Sequence, residues 1–235
     1  MTAAQFWKEY DAQKATVAPA IEALSKMGLK DVPPQRCKIN KEGLLEMFLS
    51  GLPVSDLAPL AGLPIASLNL NNTQVSDLAP LRRMPLVNLQ LHGAAVKDLS
   101  PLQGMSLKTL NINACPVSDL TPLSGMPLTE LLMGLGKLGM QVGKTNVSDL
   151  SPLRGMPLIR LSIDGTNDPD VTPIAQCATL KILILPMKAR NIEALRSLTQ
   201  LERISRGWPG SEEKMPDAAT FWKDYDAQQK EGSPK

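Results

Sequence analysis

The sequence of 235 residues predicts an α/β right-handed solenoid with a parallel sheet of about eight strands on its concave face. We expect short 3₁₀ or extended segments on the convex face and helical caps at both ends. Two observations predict this fold. A segment of the type Val-Ser-Asp-Leu recurs at a constant spacing of 21 residues, and leucines alternate with polar residues at a fixed distance after it.

The repeat is regular over four units, from Val54 to Val117. The spacing then grows to 30 residues before Val147 and to 24 before Val171, which indicates a nine-residue insertion within residues 134–144 and a shorter one later. Each unit has too few residues for a strand, a full α-helix and two turns, so the return path should be short. The aliphatic triads that predict the strands are Leu44/Met47/Leu49, Ile65/Leu68/Leu70, Leu86/Leu89/Leu91, Leu107/Leu110/Ile112, Leu128/Leu131/Met133, Leu158/Leu161/Ile163 and Leu180/Leu183/Leu185, with Leu201/Ile204 as an incomplete eighth.

An aspartate precedes the Leu-x-Pro-Leu segment of each regular unit, as Asp56 does in the first. Its carboxylate can cap free N–H groups of a short turn, or a stack of such carboxylates can bind calcium. We favour capping, because the glycine-aspartate repeats of calcium-binding solenoids are missing. The position after each strand holds a small or hydroxyl-bearing side chain, such as Thr73 or Cys115, which fits an inward-facing site. Cys115 is therefore interpreted as a core residue rather than a reactive thiol.

The two ends of the chain carry a second repetition, because residues 3–13 recur as residues 218–228. The aromatic residues Phe221, Trp222 and Tyr225 have helical spacing, and Asp217 can cap that helix. The earlier copy has Phe6, Trp7 and Tyr10 in the same pattern, with Thr2 as its capping residue. Such helices either cover the ends of a solenoid, which we favour, or dock another protein. We expect a monomeric fragment of a larger chain built from tandem units of this kind.

Three regions follow from these patterns. Residues 1–43 form an N-terminal helical cap that includes the tail motif of a preceding unit, and Val17, Ile21, Leu24 and Met27 predict its amphipathic helix. Residues 44–205 form the solenoid. Residues 206–235 form a linker and the C-terminal aromatic helix, and a further helix is expected around residues 192–198.

The repeat resembles the short bacterial form of the leucine-rich repeat, L-x-x-L-x-L-x-x-N/T. Three segments, residues 147–158, 184–196 and 221–227, also resemble the C-terminal leucine-rich regions of planctomycete-type bacterial proteins, which are often attached to serine/threonine kinases. This resemblance covers about residues 44–228. No H-R-D or D-F-G segment is present, so a kinase domain would lie outside this chain.

The composition of the chain argues against several classes of function. The 25 basic and 23 acidic residues give a net charge of +2, which is too balanced for nucleic-acid binding, and no apolar run is long enough for membrane insertion. One histidine and three widely spaced cysteines predict no metal site, no cofactor and no His-based catalysis. Free thiols slightly favour a cytoplasmic location.

One segment resembles a phosphate-binding loop. Gly139, Gly143, Lys144 and Thr145 resemble the motif, but only three residues separate the glycines where four are needed. Thr145 also occupies the inward-facing position of the repeat, so we expect no nucleotide site. The same stretch contains the insertion, whose apolar residues either fold back onto the solenoid, which we favour, or dock a partner.

The polar residues of the concave face form an amide-rich strip in the middle of the sheet. Asparagine and glutamine donate and accept hydrogen bonds, so this strip can recognise a peptide backbone, or it can be a solvated surface without a partner. His92 is expected to be an exposed ring rather than a pH-sensing or catalytic group. The predicted protein-binding residues on this face and in the insertion are Asn69, Asn71, Asn88, Gln90, His92, Asn111, Asn113, Arg160, Asp164, Leu135 and Met140.

These patterns predict a non-catalytic module that binds a protein partner through its concave face and the 134–144 loop. The alternative is a structural spacer that packs head to tail through its end caps. An enzyme is the third possibility, but no nucleophile, base and orienting residue occur at matched spacing.

Overall fold

The computed structural model describes residues 17–29, 33–134 and 145–231, and it has a nine-stranded sheet whose strands follow one another in chain order. Helix α1 comprises residues 17–26 and α2 comprises Ala218–Glu231. In the described ranges, no helix has both the length and the apolar character needed to cross a membrane. The strands are β1 (Cys37–Ile39), β2 (Leu45–Phe48), β3 (Ile65–Asn69), β4 (Asn88–Gln90), β5 (Thr109–Asn111), β6 (Glu130–Leu132), β7 (Arg160–Ser162), β8 (Ile182–Leu185) and β9 (Arg203–Arg206).

Strands β2 to β9 are parallel, which confirms the predicted solenoid sheet of about eight strands. Each coil contributes one strand, so equivalent residues of successive repeats lie side by side. Leu89, for example, lies between Leu68 and Leu110, and all three side chains are fully buried. Burial of each such leucine contributes about 1.5–3 kcal/mol, and a single coil cannot bury it alone.

Short 3₁₀ helices form the return path of the regular coils, as the unit length predicts. In each one an aspartate accepts a hydrogen bond from the N–H of the first helical residue, as Asp77 Oδ1 does from Ala79 N at 2.8 Å. The predicted capping role is confirmed for these carboxylates. Among residues 17–29, 33–134 and 145–231, no group of three or more His, Cys, Asp or Glu residues is arranged to hold a metal ion. The 3₁₀ helices of the regular coils are Ala58–Leu60, Ala79–Leu81, Ser100–Leu102, Thr121–Leu123 and Ser151–Leu153.

Where the inward-facing position after a strand holds threonine or cysteine, its side chain donates to a backbone carbonyl, but not always to one of the neighbouring coil. Thr145 Oγ1 donates to Gly165 O in the next coil at 2.9 Å, whereas Thr73 Oγ1 donates to Leu70 O within its own coil at 2.7 Å. Both side chains are buried. A hydroxyl therefore satisfies a carbonyl group that the narrow turn would leave without a partner.

The N-terminal end combines a helix with an added strand that the sequence reasoning missed. Helix α1 buries Ala20 and Leu24 against the core and leaves Ile21 59% exposed. Strand β1 pairs antiparallel with β2 and covers its edge. The sequence signal for this strand was the pair of turn-forming residues that follows it, Asn40 and Gly43. In the turn, Asn40 Oδ1 accepts the backbone N–H of Leu44, and Gly43 has a φ of +78°.

The C-terminal end is built from a 3₁₀ helix, a loop and α2. The helix expected around residues 192–198 is a 3₁₀ helix, Ile192–Ser197, because this coil leaves only a few residues before the next strand. Asp217 Oδ1 accepts the backbone N–H of Thr220 at 2.8 Å and caps α2, as predicted. The aromatic residues of α2 pack against the core. Phe6, Trp7 and Tyr10 of the earlier copy lie outside the described residues.

Candidate functional site

The register of the sheet places three columns of outward-facing residues on the concave face. Each column runs across the strands, one residue per coil, and in the first two columns neighbouring residues are paired in the register of the sheet. The third column follows the ends of the strands. The first column is Glu46, Ser67, Asn88, Thr109, Glu130, Arg160, Ile182 and Arg203; the second is Phe48, Asn69, Gln90, Asn111, Leu132, Ser162, Ile184 and Ser205; the third is Ser50, Asn71, His92, Asn113, Gly134, Asp164 and Pro186.

We call the part of these columns on β3, β4 and β5 and the turns that follow them the amide strip. The structure brings seven of the predicted site residues together there, and all seven are half-buried. Within the strip, Gln90 Nε2 donates a hydrogen bond to Asn88 Oδ1 at 2.7 Å. The members of the strip are Asn69, Asn71, Asn88, Gln90, His92, Asn111 and Asn113.

Four asparagines of the strip also stabilise the turns, a role that sequence reasoning missed. Asn69 Oδ1 accepts the backbone N–H of Asn71 at 3.0 Å, and Asn111 does the same for Asn113. Asn71 Oδ1 in turn accepts the N–H of His92 in the next coil at 2.8 Å. Asn113 makes the equivalent bond to the following coil. Asparagine recurs at the same two positions of alternate repeats, on β3 and β5, and this recurrence is the sequence signal that could have indicated the bonds.

These four bonds have a chemical consequence for the surface. In each of them the amide oxygen is the acceptor, so none of them uses the N–H donors of the side chain. The amide strip is thus biased towards donating hydrogen bonds. Groups that accept hydrogen bonds, such as peptide carbonyls and carboxylates, are chemically complementary to such a surface.

His92 is half-buried, in contrast to the expected exposed ring. Its backbone N–H donates to Asn71 Oδ1, and its carbonyl oxygen accepts the N–H of Asn72 at 2.7 Å. The backbone of His92 is therefore bound to the turn of the preceding coil.

The C-terminal part of the concave face is covered by the chain itself. In the second column Ser162, Ile184 and Ser205 are at most 6% exposed. We call residues 207–217 the C-terminal strap. Arg203 Nη1 donates to the carbonyl oxygens of Glu212 and Met215 in this strap, at 3.1 and 2.8 Å, so the strap lies against the first column of the sheet.

Arg160 ties the strap to the middle strands. Its guanidinium forms ion pairs with Glu212 of the strap and with Glu130 in the neighbouring strand. Arg160 Nε lies 3.4 Å from Glu130 Oε1 and is buried without a hydrogen bond. The charged group of Arg160 thus already contacts its own chain. Its role in binding a partner stays a prediction.

Asp164 lies beside the start of the insertion. Its Oδ1 accepts a hydrogen bond from Ser162 Oγ at 2.7 Å, and a Cβ atom at Gly134 would clash with Asp164. A side chain at this position would therefore require Asp164 and Ser162 to move. Leu135 and Met140 of the insertion lie outside the described residues, as does Lys144. Thr145, the last residue of the apparent phosphate-binding motif, is buried in the inward-facing position predicted for it.

The cysteines are not activated as nucleophiles. Burial raises the pKa of Cys115 to about 12, and the thiol donates to Leu91 O at 3.0 Å. Burial also raises the pKa of Cys177 and of Cys37. Each thiol therefore stays protonated at neutral pH, and Cys115 is the core residue that the repeat predicts.

Comparison with known proteins supports the fold. No family model and no curated protein sequence matches the chain. Among solved structures, an internalin C2 from Listeria monocytogenes is 28% identical, with a TM-score of 0.55 over 67% of this chain and 68% of that chain. An internalin (inlF) from the same organism is 19% identical, with a TM-score of 0.44 over 84% of this chain and 74% of that chain. The chain is therefore a leucine-rich repeat solenoid whose structural neighbours include bacterial internalins.

Proposed function

We propose that this chain is a non-catalytic protein-binding module and that the amide strip is its recognition surface. Solenoids of stacked repeats characteristically use their extended concave faces for binding. The single observation that carries this proposal is the fixed orientation of Asn69, Asn71, Asn111 and Asn113, whose oxygens are held by backbone N–H groups. Their N–H donors are thereby presented by a rigid scaffold.

An extended segment of a partner, with carbonyl or carboxylate groups along one side, is the ligand that this surface fits. Coils in the sheet are about 4.8 Å apart, and alternate carbonyls of an extended chain point the same way about 6.6 Å apart. The two repeat distances differ by about 1.8 Å, so an extended segment that runs across the coils can meet donors on neighbouring coils but does not stay in register along the whole sheet. Because the asparagines are already positioned, little conformational entropy is lost when they bind.

The insertion is the second contact that we propose, through Leu135 and Met140. It begins after Gly134, which belongs to the third column, and it returns at Thr145 in the adjacent inward-facing position. The insertion is joined to the solenoid beside the amide strip, because Asn113 Oδ1 accepts the N–H of Gly134. Arg160 and Asp164 lie on the same side of the amide strip as the start of the insertion, where Arg160 holds the strap and Asp164 lies beside Gly134.

An isosteric exchange tests this function without disturbing the turns. Asn69→Asp, Gln90→Glu and Asn111→Asp keep an oxygen that can accept a backbone N–H but remove the donors. A displayed library of extended peptides would be selected against the unmodified chain, and the affinity of selected peptides measured by isothermal titration. We expect the triple variant to lose at least about tenfold in affinity, since each lost hydrogen bond contributes about 0.5–1.5 kcal/mol.

A matched control carries the same change of charge away from the concave columns: Gln74→Glu, Gln103→Glu and Asn146→Asp, all at exposed positions. This control should retain the affinity of the unmodified chain. Equal loss in both variants would show a long-range charge effect, and full binding by the first variant would reject the amide strip as the site.

A further inference from the structure

The surface on which α2 docks is defined by a small set of contacts. The rings of Phe221, Trp222 and Tyr225 pack against the core. The guanidinium of Arg196 lies 4.2 Å from the centre of the Trp222 ring and forms an ion pair with Asp226. We call the surface that receives α2, formed by the 3₁₀ helix Ile192–Ser197 and strand β9, the C-terminal seat.

The rings also contact one another, so they act as one unit. Trp222 packs edge-on against Phe221 at 5.2 Å and against Tyr225 at 5.7 Å between ring centres. The guanidinium of Arg206 lies 5.5 Å from the centre of the Tyr225 ring. Recognition by the seat therefore requires an aromatic pair, a tyrosine three residues later and then an aspartate.

Residues 3–13 carry every one of these groups in the same order. They match residues 218–228 except that Gln5 stands for Thr220 and Glu9 for Asp224. Both differing positions are exposed on α2. The residues equivalent to Trp222, Tyr225 and Asp226 are Trp7, Tyr10 and Asp11, so the chain contains two segments that fit the seat.

We propose that the C-terminal seat accepts residues 3–13 of a second copy of this chain in place of α2, which joins copies head to tail. The inference takes up the spacer alternative and is independent of the amide strip. The three residues between Gln13 and Val17 limit the distance between their Cα atoms to about 14 Å. The acceptor copy must therefore lie close to α1, which packs at the N-terminal end of the donor solenoid. Such an interface is heterologous and extends from copy to copy.

The resident helix has two advantages over the incoming segment. It is tethered to the same chain, and Asp217 caps it by accepting the N–H of Thr220, where the earlier copy has Thr2 and Gln5. Threonine is the weaker capping residue. Exchange should therefore be weak in the unmodified chain and pronounced when the aromatic contacts of α2 are removed.

A fluorescent peptide of residues 1–15 tests this exchange on the full chain. The variant Trp222→Ala/Tyr225→Ala should bind it at least tenfold more tightly than the unmodified chain does, as measured by anisotropy. Adding Arg196→Glu to that variant should remove the gain, because the cation over the tryptophan and the ion pair are both lost. Arg154→Glu, at an exposed position on a 3₁₀ turn of another coil, is the matched charge control and should leave binding unchanged.

The assembly itself is measured by sedimentation. Trp222→Ala/Tyr225→Ala should form oligomers as its concentration rises, and adding Trp7→Ala/Tyr10→Ala should return it to monomers. If the α2 variant does not fold, hydrogen exchange on the unmodified chain replaces it, and excess peptide should speed exchange of the α2 amides. A folded variant that fails to bind the peptide, or peptide binding that Arg196→Glu leaves intact, would overturn the proposal. Asn69→Asp should not affect this binding, which separates it from concave-face recognition.

Discussion

The middle and the C-terminal end of the concave face are built from equivalent positions of one repeat, yet they differ in what covers them. In the second column, Asn69, Gln90 and Asn111 are half-buried and polar, whereas Ile184 is 1% exposed. At the C-terminal end the strap lies against the sheet, held by Arg160 and Arg203. The repeat therefore builds a continuous surface, and contacts outside the repeat decide which part of it is exposed.

The largest effect should come from placing a polar side chain at the covered end. Ile184→Asn removes buried apolar surface and buries an amide with no designed partner, so we expect a loss of about 2–4 kcal/mol in the free energy of unfolding, measured in urea. Leu132→Asn, in the same column but half-buried, is the matched control and should lose about 1 kcal/mol or less. Equal losses at the two positions would contradict the difference in cover.

An intermediate effect should come from releasing the strap. The side chains of Arg160, Glu130 and Glu212 are 27%, 33% and 36% exposed, and Arg160→Ala leaves both carboxylates without their cation. We expect a loss of about 1–2 kcal/mol in urea unfolding.

The control for this prediction is Lys181→Ala, which breaks the more exposed pair with Glu202 and should cost about 0.5 kcal/mol or less. High salt should weaken that exposed pair more than the Arg160 pairs. Equal costs for the two variants would show that the strap is not held by Arg160.

The smallest effect should come from the turn caps, which are common to both regions. Hydrogen bonds from the backbone and side chain of Ser100 lower the pKa of Asp98, and those from the side chain and backbone of Thr121 lower the pKa of Asp119. A lowered pKa in the folded state stabilises the fold above the ordinary aspartate pKa, near 4, and this contribution is lost as the pH falls through the folded value.

Asp98→Asn/Asp119→Asn should therefore be less stable than the unmodified chain above pH 5 and approach it by pH 2, in thermal unfolding followed by circular dichroism. Asp224→Asn, an exposed aspartate on α2, serves as the control substitution. A stability difference that stays constant with pH would show that the charge of the two caps does not contribute.

Much of the fold and part of the site can be predicted from sequence, because residues at equivalent positions of the repeat are neighbours in the folded chain. A strand triad in one coil specifies its own partners, since the equivalent residues of the next coil must lie beside it. Asn69, Gln90 and Asn111, which the sequence predicts in one strip on the concave face, lie side by side in the register of the sheet. Strand β1 was missed because it lies outside the repeat and pairs in the opposite direction.

The sequence by itself determined the solenoid, the order and register of its parallel strands, and the aspartate caps, because each depends on residues that recur at a fixed spacing. Only the tertiary structure decided which part of the concave face is open. The ion pair of Arg160 with Glu212 joins segments that are far apart in the chain and share no periodic pattern, and the repeat alone does not predict that Ile184 is buried. The direction of the asparagine oxygens was likewise decided by neighbouring turns, since an amide can point either way until a backbone N–H group holds it.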